Sequence, residues 1–207
     1  MKKIISMVAA ALISVTAAFA ENTFHLGAYF PIYSFEVDDT DISSTIYGAS
    51  FDYIHVAESG YTWKIGLECG KASTSDLKSV VKGEDLTGFD FEMEVGFGAS
   101  FIHNEKMTLS LTGNLGFRVE VLSAEESIPG DTISTTYGET ILFGGPQISF
   151  TYRFNPHVGL FADLGLFYNS GAVVADIDSD NGSITGNNDE KVSGYSCVPK
   201  LGVAFTF

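Results

Sequence analysis

The sequence has few basic residues and, after its first 20 residues, no long apolar run. Its 11 lysines and arginines are outnumbered by 26 acidic residues, which gives a formal net charge of −15. Because a phosphate backbone attracts Lys and Arg, this balance excludes nucleic-acid binding as a function class. A helix that crosses a bilayer needs about 20 consecutive, mainly apolar residues, and no such run follows residue 20. The sequence therefore predicts no helical membrane anchor beyond that point.

The N-terminus has the pattern of an export signal. Two lysines, Lys2 and Lys3, precede an apolar run over 4–15, and small residues follow that end in Ala18-Phe19-Ala20. A cationic start, a short apolar core and an A-x-A ending are typical of a cleaved secretory signal peptide. We predict that residues 1–20 are removed and that 21–207 form a single domain.

Alternation with a period of two is the dominant pattern after residue 20. Between residues 107 and 121, odd positions are apolar or glycine and even positions are polar or glycine. This period is typical of a strand with one apolar and one polar face. Pro31 and Pro146 fall inside such segments and predict local bulges. The pattern predicts eight strands, at about 22–35, 44–57, 61–67, 89–101, 107–121, 140–154, 157–170 and 194–207.

The connections between these segments alternate strictly between short and long. Short turns are predicted near 58–60, 103–105 and 155–156. Such asymmetry is typical of outer-membrane barrels, whose long loops lie outside the cell and whose short turns face the periplasm. The long polar connections are predicted at about 36–43, 71–87, 123–138 and 171–193.

The last eight residues carry a second signal. Lys200, Gly202, Phe205 and Phe207 follow the order polar, glycine, aromatic, aromatic at the chain end. This order resembles the C-terminal assembly signal of bacterial outer-membrane barrels. Together with the alternation, it makes the chain similar to the eight-stranded family typified by the OmpA membrane domain and OmpX. The resemblance implies an all-β fold, a closed antiparallel up-and-down transmembrane barrel of eight strands, in the bacterial outer membrane.

If the apolar face meets lipid, the polar face fills the barrel. We expect Asp90 to lie opposite Arg118, with Glu92 diagonal to it, inside a salt-bridged interior. An ion or solute pathway is the alternative interpretation, but eight strands enclose a space that side chains fill. The predicted interior charges are Asp52, Lys64, Glu68, Asp90, Glu92, Glu94, Arg118, Glu120, Arg153, Asp163 and Lys200.

Metal, disulfide and catalytic sites have weaker support. The acidic segment 176–190 has Asn181 and Asn187 where an EF-hand needs Gly and Glu, so we interpret it as a solvated loop and leave weak divalent binding open. Cys69 and Cys197 fall on strands that are three apart in the ring, which predicts free thiols. The four histidines show no His-x-Ser motif. We expect no catalytic residues, metal site or cofactor, and no enzymatic activity.

The expected function is a structural or surface-interaction role with acidic extracellular loops. A narrow pore or conduit for small or apolar solutes, similar to OmpW, is the alternative, and a lipid-modifying enzyme is a third class. Expected partners are outer-membrane lipid, lipopolysaccharide and the barrel assembly machinery. The chain is expected to be monomeric.

Overall fold

The alternating segments form long antiparallel strands. The computed structural model describes residues 21–37, 40–42, 44–78, 85–128, 131–179 and 184–207. Within these ranges no helix is long and apolar enough to cross a membrane. The strands are β1 (Glu21–Tyr29), β2 (Ile32–Val37), β3 (Thr40–Ile42), β4 (Thr45–Val56), β5 (Tyr61–Lys78), β6 (Asp85–His103), β7 (Met107–Ile128), β8 (Asp131–Asn155), β9 (Val158–Ser179) and β10 (Ile184–Thr206).

The ten strands close into a ring of eight. Neighbours along the chain pair from β4 to β10, and β1 closes the ring because it pairs with both β10 and β4. β2 continues β1 beyond Pro31 and also pairs with β10, whereas β3 forms a short hairpin with β2. The first barrel strand is therefore β1 with β2, and the second is β4 with β3. The predicted closed antiparallel barrel of eight strands is confirmed.

Short turns join the strands at one end of the barrel, called here the turn end. They lie between β4 and β5, β6 and β7, and β8 and β9. In the first of them Gly60 has a φ of +83°, a conformation that glycine adopts without strain. Both chain ends of the described barrel meet here, where the amide of Phe207 donates to the carbonyl of Asn22 over 3.0 Å.

The predicted long loops are wrong in extent. β5 continues to Lys78, β7 to Ile128 and β9 to Ser179, so each supposed loop is mostly a β-hairpin. Backbone pairing carries the strands beyond the point where the sequence stops alternating, because antiparallel partners satisfy each other's amides whatever their side chains. This end of the barrel is called the hairpin end below.

Both prolines interrupt the pairing of their strands without a bulge. Pro31 lies in the break between β1 and β2, but the register with β10 and with β4 is the same on both sides of the break, so the predicted bulge there is wrong. Pro146 interrupts the β8–β9 pairing between Gly144 and Gln147, but the register is the same on both sides, so the predicted bulge there is wrong.

In contrast to a soluble protein, the ring exposes apolar side chains on its outer face and buries charged side chains inside. Leu115, Leu142 and Leu166 are 70%, 69% and 54% exposed on the outside, whereas Asp90 and Lys64 are at most 1% exposed inside. An apolar outer belt around a paired, closed backbone is stable in hydrocarbon, which offers no hydrogen bonds.

Aromatic side chains border this belt at both ends. At the turn end, the Phe24 ring lies 5.2 Å from Phe51 and 5.3 Å from Phe207. Towards the hairpin end, Tyr168 and Tyr195 are exposed and pack edge to face at 5.5 Å. From Tyr195 to Phe205, β10 has eleven residues, which matches the about 9–11 residues of a tilted membrane strand.

The hairpin end of the interior is apolar, which the sequence analysis missed. Ile141 and Phe143 are buried inside while Leu142 between them is exposed outside. Consecutive apolar residues, as at 141–143, are the signal that both faces of a strand are apolar. This apolar cluster contains Ile46, Ala72, Leu86, Leu122, Ile141, Phe143, Phe167, Val173, Val192 and Val198, with Tyr29, Tyr33 and Tyr137.

Replacing Gly202 with valine should prevent closure of the ring. A Cβ at Gly202 would overlap the carbonyl oxygen of Leu26 and the Cα of Gly27 across the β1–β10 pairing. We expect the Gly202→Val protein to lose the compact, fast migration that closed barrels keep on unheated gels.

The matched control is Gly113→Val, since a Cβ at Gly113 has no neighbour nearer than the Phe97 oxygen at 4.0 Å. Wild-type migration of Gly202→Val would contradict the prediction.

Candidate functional site

Two lysines occupy the middle of the barrel interior. The Lys200 Nζ lies 2.7 Å from Glu94 Oε1 and 3.4 Å from Asp52 Oδ1, and it also bonds to Glu68. The Lys64 Nζ lies 2.7 Å from the same Glu94 oxygen and 3.2 Å from the same Asp52 oxygen. Three carboxylates and two ammonium groups therefore form one compact cluster.

Neutral polar groups extend this cluster to the remaining walls. Lys64 donates to Gln147 Oε1 over 2.9 Å, and the Asn114 amide donates to Glu94 and to Gln147 over 2.6 and 2.8 Å. Gln147 donates to Asp163 over 3.4 Å, and Asp163 contacts His25 over the same distance. This lysine layer is connected through side chains from all eight barrel strands: His25, Asp52, Lys64, Glu68, Glu94, Asn114, Gln147, Asp163 and Lys200.

A second charged layer lies nearer the hairpin end, around Arg118. The guanidinium donates to Glu139, lies 3.8 Å from Asp90 and covers the Tyr33 ring at 3.8 Å. Tyr33 in turn donates to Glu92. This arginine layer also includes Tyr29, which donates to Asp90, and Glu120, which accepts from Ser44 over 3.1 Å.

Known outer-membrane proteins share this architecture, although no protein-family model and no curated protein matches the sequence. The outer membrane protein OprG from Pseudomonas aeruginosa is similar in structure, with a TM-score of 0.56 and 11% identity over 91% of this chain and 96% of that chain. A major outer membrane protein from Thermus thermophilus gives a TM-score of 0.50 and 13% identity over 90% and 99% of the two chains. AlkL, solved in DMPC lipid bilayers, gives 0.50 and 10% identity over 92% of each chain.

The fold is that of a bacterial outer-membrane β-barrel. At these identities the comparison establishes the architecture of the chain. What distinguishes this outer-membrane barrel is the content of its interior.

The expected pairing of Asp90 with Arg118 is wrong by two residues in register. Glu92 lies directly opposite Arg118, and Asp90 lies opposite Glu120. The β6–β7 turn lies one residue later than predicted, at 104–106, which moves the pairing by two residues. A further offset of one residue where His103 pairs with Thr108 is cancelled by a bulge near Ser100. Arg118 still reaches Asp90 diagonally.

Acidic groups outnumber cations in the two layers. Eight buried carboxylates belong to Asp52, Glu68, Asp90, Glu92, Glu94, Glu120, Glu139 and Asp163, against the cations Lys64, Arg118 and Lys200. The sequence pattern does not predict Glu139 inside, because the alternation begins at 140 and 123–138 is predicted to be a loop. Several of these carboxylates have one oxygen with no hydrogen-bond partner among the described residues: Asp52, Glu68, Asp90, Glu120 and Asp163.

Arg153 belongs to neither layer. It lies at the turn end, where it bonds to Glu21 and donates to the carbonyls of Asn104 and Glu105 over 2.5 and 3.1 Å. It also donates to Thr108 Oγ1 over 2.9 Å. Arg153 thus ties the start of β1 to the β6–β7 turn, because all of these groups meet at one point of the rim.

His25 forms a buried relay next to the lysine layer. Its Nδ1 lies 3.4 Å from Asp163 Oδ2 and its Nε2 lies 2.9 Å from Thr151 Oγ1. An acid, a histidine and a hydroxyl are the residue types of a catalytic triad. A triad is identified by its geometry and not by sequence spacing. The adjoining cavity is about 10 Å³, the volume that one water needs. It leaves no room for a lipid substrate in this state.

The residues of the C-terminal motif divide between the two faces. Lys200 points into the lysine layer, whereas Phe205 and Phe207 are exposed outside. Gly202 lies in the β1–β10 pairing opposite Gly27. The motif therefore combines a lipid-facing aromatic edge, a close backbone contact and an interior charge.

The remaining sites from the sequence analysis fall at the hairpin end. Cys69 on β5 and Cys197 on β10 are free. In the acidic segment 176–190, β9 continues to Ser179 and β10 begins at Ile184, so the segment is largely strand; residues 180–183 lie outside the described part. The signal segment 1–20 also lies outside it.

Replacing Arg118 with methionine should destabilise the barrel strongly. Asp90 and Glu139 would lose their cation in a buried site, which typically costs about 3–5 kcal/mol of unfolding free energy. Urea unfolding in detergent micelles measures the change.

Adding Glu139→Gln to Arg118→Met should restore part of the lost unfolding free energy, because one unpaired buried charge is removed. Lys106→Met, in an exposed turn, is the matched control and should change little. An unchanged midpoint for Arg118→Met would contradict the assignment.

Proposed function

We propose that this protein is a non-enzymatic outer-membrane barrel with a sealed interior, which acts at the cell surface through the strands of its hairpin end. The observation that carries the proposal is the lysine layer, since side chains from every barrel strand meet across the interior. The arginine layer and the apolar cluster lie on the hairpin side of it. Three successive side-chain layers oppose the passage of solutes.

The hairpin end supports a surface-interaction role. β7, β8 and β9 pair continuously well beyond the aromatic border, as in Ile128 with Asp131 and Ile133 with Ser179, and β10 pairs with β9 without a break as far as Asn188. Among the described strands, none pairs with the free edge of β10 from Ile184 to Val192, or with the β6-facing edge of β7 beyond Ala124. Exposed edges present unpaired amides and carbonyls, to which another extended chain can pair.

A lateral conduit has one observation in its favour. The β8–β9 pairing is interrupted at Gly145 and Pro146, beside an apolar groove of about 430 Å³ on the lipid face. However, a Cβ on Gly145 would lie only 3.0 Å from the Phe167 Cα. The two backbones are in contact there, so the interruption leaves no gap in the wall, and we favour the sealed barrel.

The same proposal assigns the topology. Residues 1–20 direct export and are removed, the turn end faces the periplasm, and the C-terminal motif engages the assembly machinery as the chain inserts. Lipid and lipopolysaccharide surround the apolar belt. Intact-mass measurement of the protein from an outer-membrane fraction should give a chain that begins at Glu21, and retention of residue 20 or earlier would contradict the cleavage point.

Planar-bilayer recording tests the sealed interior. The reconstituted wild-type protein should give no single-channel steps, because the two charged layers and the apolar cluster fill the interior. A general porin inserted under the same conditions is the positive control. Reproducible steps from protein that is folded by gel migration would overturn the sealed barrel in favour of a narrow pore.

A further inference from the structure

The tricarboxylate cluster of the lysine layer is built from one part of the chain and completed by another. Asp52, Glu68 and Glu94 each offer an oxygen within 4.8 Å of the others, the spacing of a cation-binding group. They lie on β4, β5 and β6, three strands linked by pairing between chain neighbours. The cluster therefore assembles from local pairing, which requires little loop closure.

The space between these strands fits the cluster. Gly66 lies in register between Asp52 and Glu94. A Cβ at Gly66 would lie 2.5 Å from Asp52 Oδ1 and 2.9 Å from Glu94 Cγ. The missing side chain allows the two carboxylates to approach each other. Both are buried, and one oxygen of Asp52 and one of Glu68 have no hydrogen-bond partner within the described chain.

The two ammonium groups enter this cluster from different places. Lys64 lies on β5, next to the carboxylates, so it arrives with them. Lys200 lies on β10, which reaches β4 in the closed ring through the first barrel strand, formed by β1 with β2. Among the cations of the described residues, only Lys200 contacts Glu68, whereas Asp52 and Glu94 also contact Lys64. Until β10 closes the ring, Glu68 has no cation from either lysine.

We propose that the Asp52–Glu68–Glu94 cluster is a binding site for a primary ammonium ion, and that the chain supplies this ligand from its own last strand. Entry of Lys200 is then the step that couples sealing of the interior to docking of β10 on β1. A buried carboxylate without a cation is strongly unfavourable, so the cluster attracts Lys200 and opposes closure without it. The inference rests on the fold and is independent of the surface role proposed above.

The test separates insertion of the early strands from closure of the ring. Trp63, the single tryptophan, lies on β5 and packs on Tyr53 of β4 at 5.3 Å, so its fluorescence reports formation of the β4–β5 hairpin. Fast migration on unheated gels reports the closed ring. The purified protein is refolded from urea into detergent micelles, and both signals are followed in time.

Lys200→Met should leave the Trp63 signal at the wild-type rate and slow closure by about tenfold or more. Added methylammonium chloride should restore closure, because its ammonium group can fill the vacated site before the ring seals. Tetramethylammonium chloride at equal concentration screens charge equally but cannot donate hydrogen bonds, so it should not restore closure. Lys200→Met with Glu68→Gln should close without added ammonium, since the unpaired charge is gone.

Lys71→Met is the matched control, because Lys71 is exposed on the outer face of β5 and its loss should change neither signal. Closure of Lys200→Met at the wild-type rate would overturn the proposal. So would equal rescue by both ammonium salts, which would reduce the effect to general screening. The proposal would also be overturned if the Lys200→Met ring failed to close and neither methylammonium nor Glu68→Gln restored closure. A defect in side-chain shape would then explain the loss of closure.

Discussion

Closure of β1 against β10 is the constraint on which the rest of this structure depends. Hydrocarbon cannot hydrogen-bond a free strand edge, so the first and last strands of the chain must pair with each other in the membrane. Closing eight strands produces an interior narrow enough for side chains to meet across it. That meeting turns a row of inward charges into the lysine layer, in which Lys200 reaches Asp52, Glu68 and Glu94 on three other strands. The contacts between side chains inside the barrel are thus a consequence of the small barrel diameter.

The strands were predictable because the two environments of each strand, lipid and barrel interior, determine the alternation of its own residues. Alternate residues meet lipid and interior, so a period of two, as in 107–121, identifies both the strand and its faces. Parity alone places Lys64, Glu94 and Arg118 inside, where the structure has them. The C-terminal motif and the short turns indicated the architecture for the same reason, since both are local features.

Partners across the interior were not predictable, because they depend on distances that no local pattern encodes. The Arg118 register was wrong by two residues because the β6–β7 turn lies one residue later in the chain than predicted. Glu139 was missed because backbone pairing extends β8 beyond the alternating segment. The consecutive apolar residues at 141–143 were a signal of the apolar cluster. The signal is lost when every strand is assumed to have one apolar face and one polar face. His25 lies far along the chain from Thr151 and Asp163 and meets them only when the ring closes.

The position of Lys200 on β10 has a mechanical consequence. A force that pulls on the hairpin end of β10 acts along that strand, perpendicular to its hydrogen bonds with β9 and β1. All of these bonds are then sheared together and share the force, instead of opening one after another. The ammonium of Lys200 passes part of the same load sideways to β4, β5 and β6. Tension on β10 is therefore spread over much of the barrel wall.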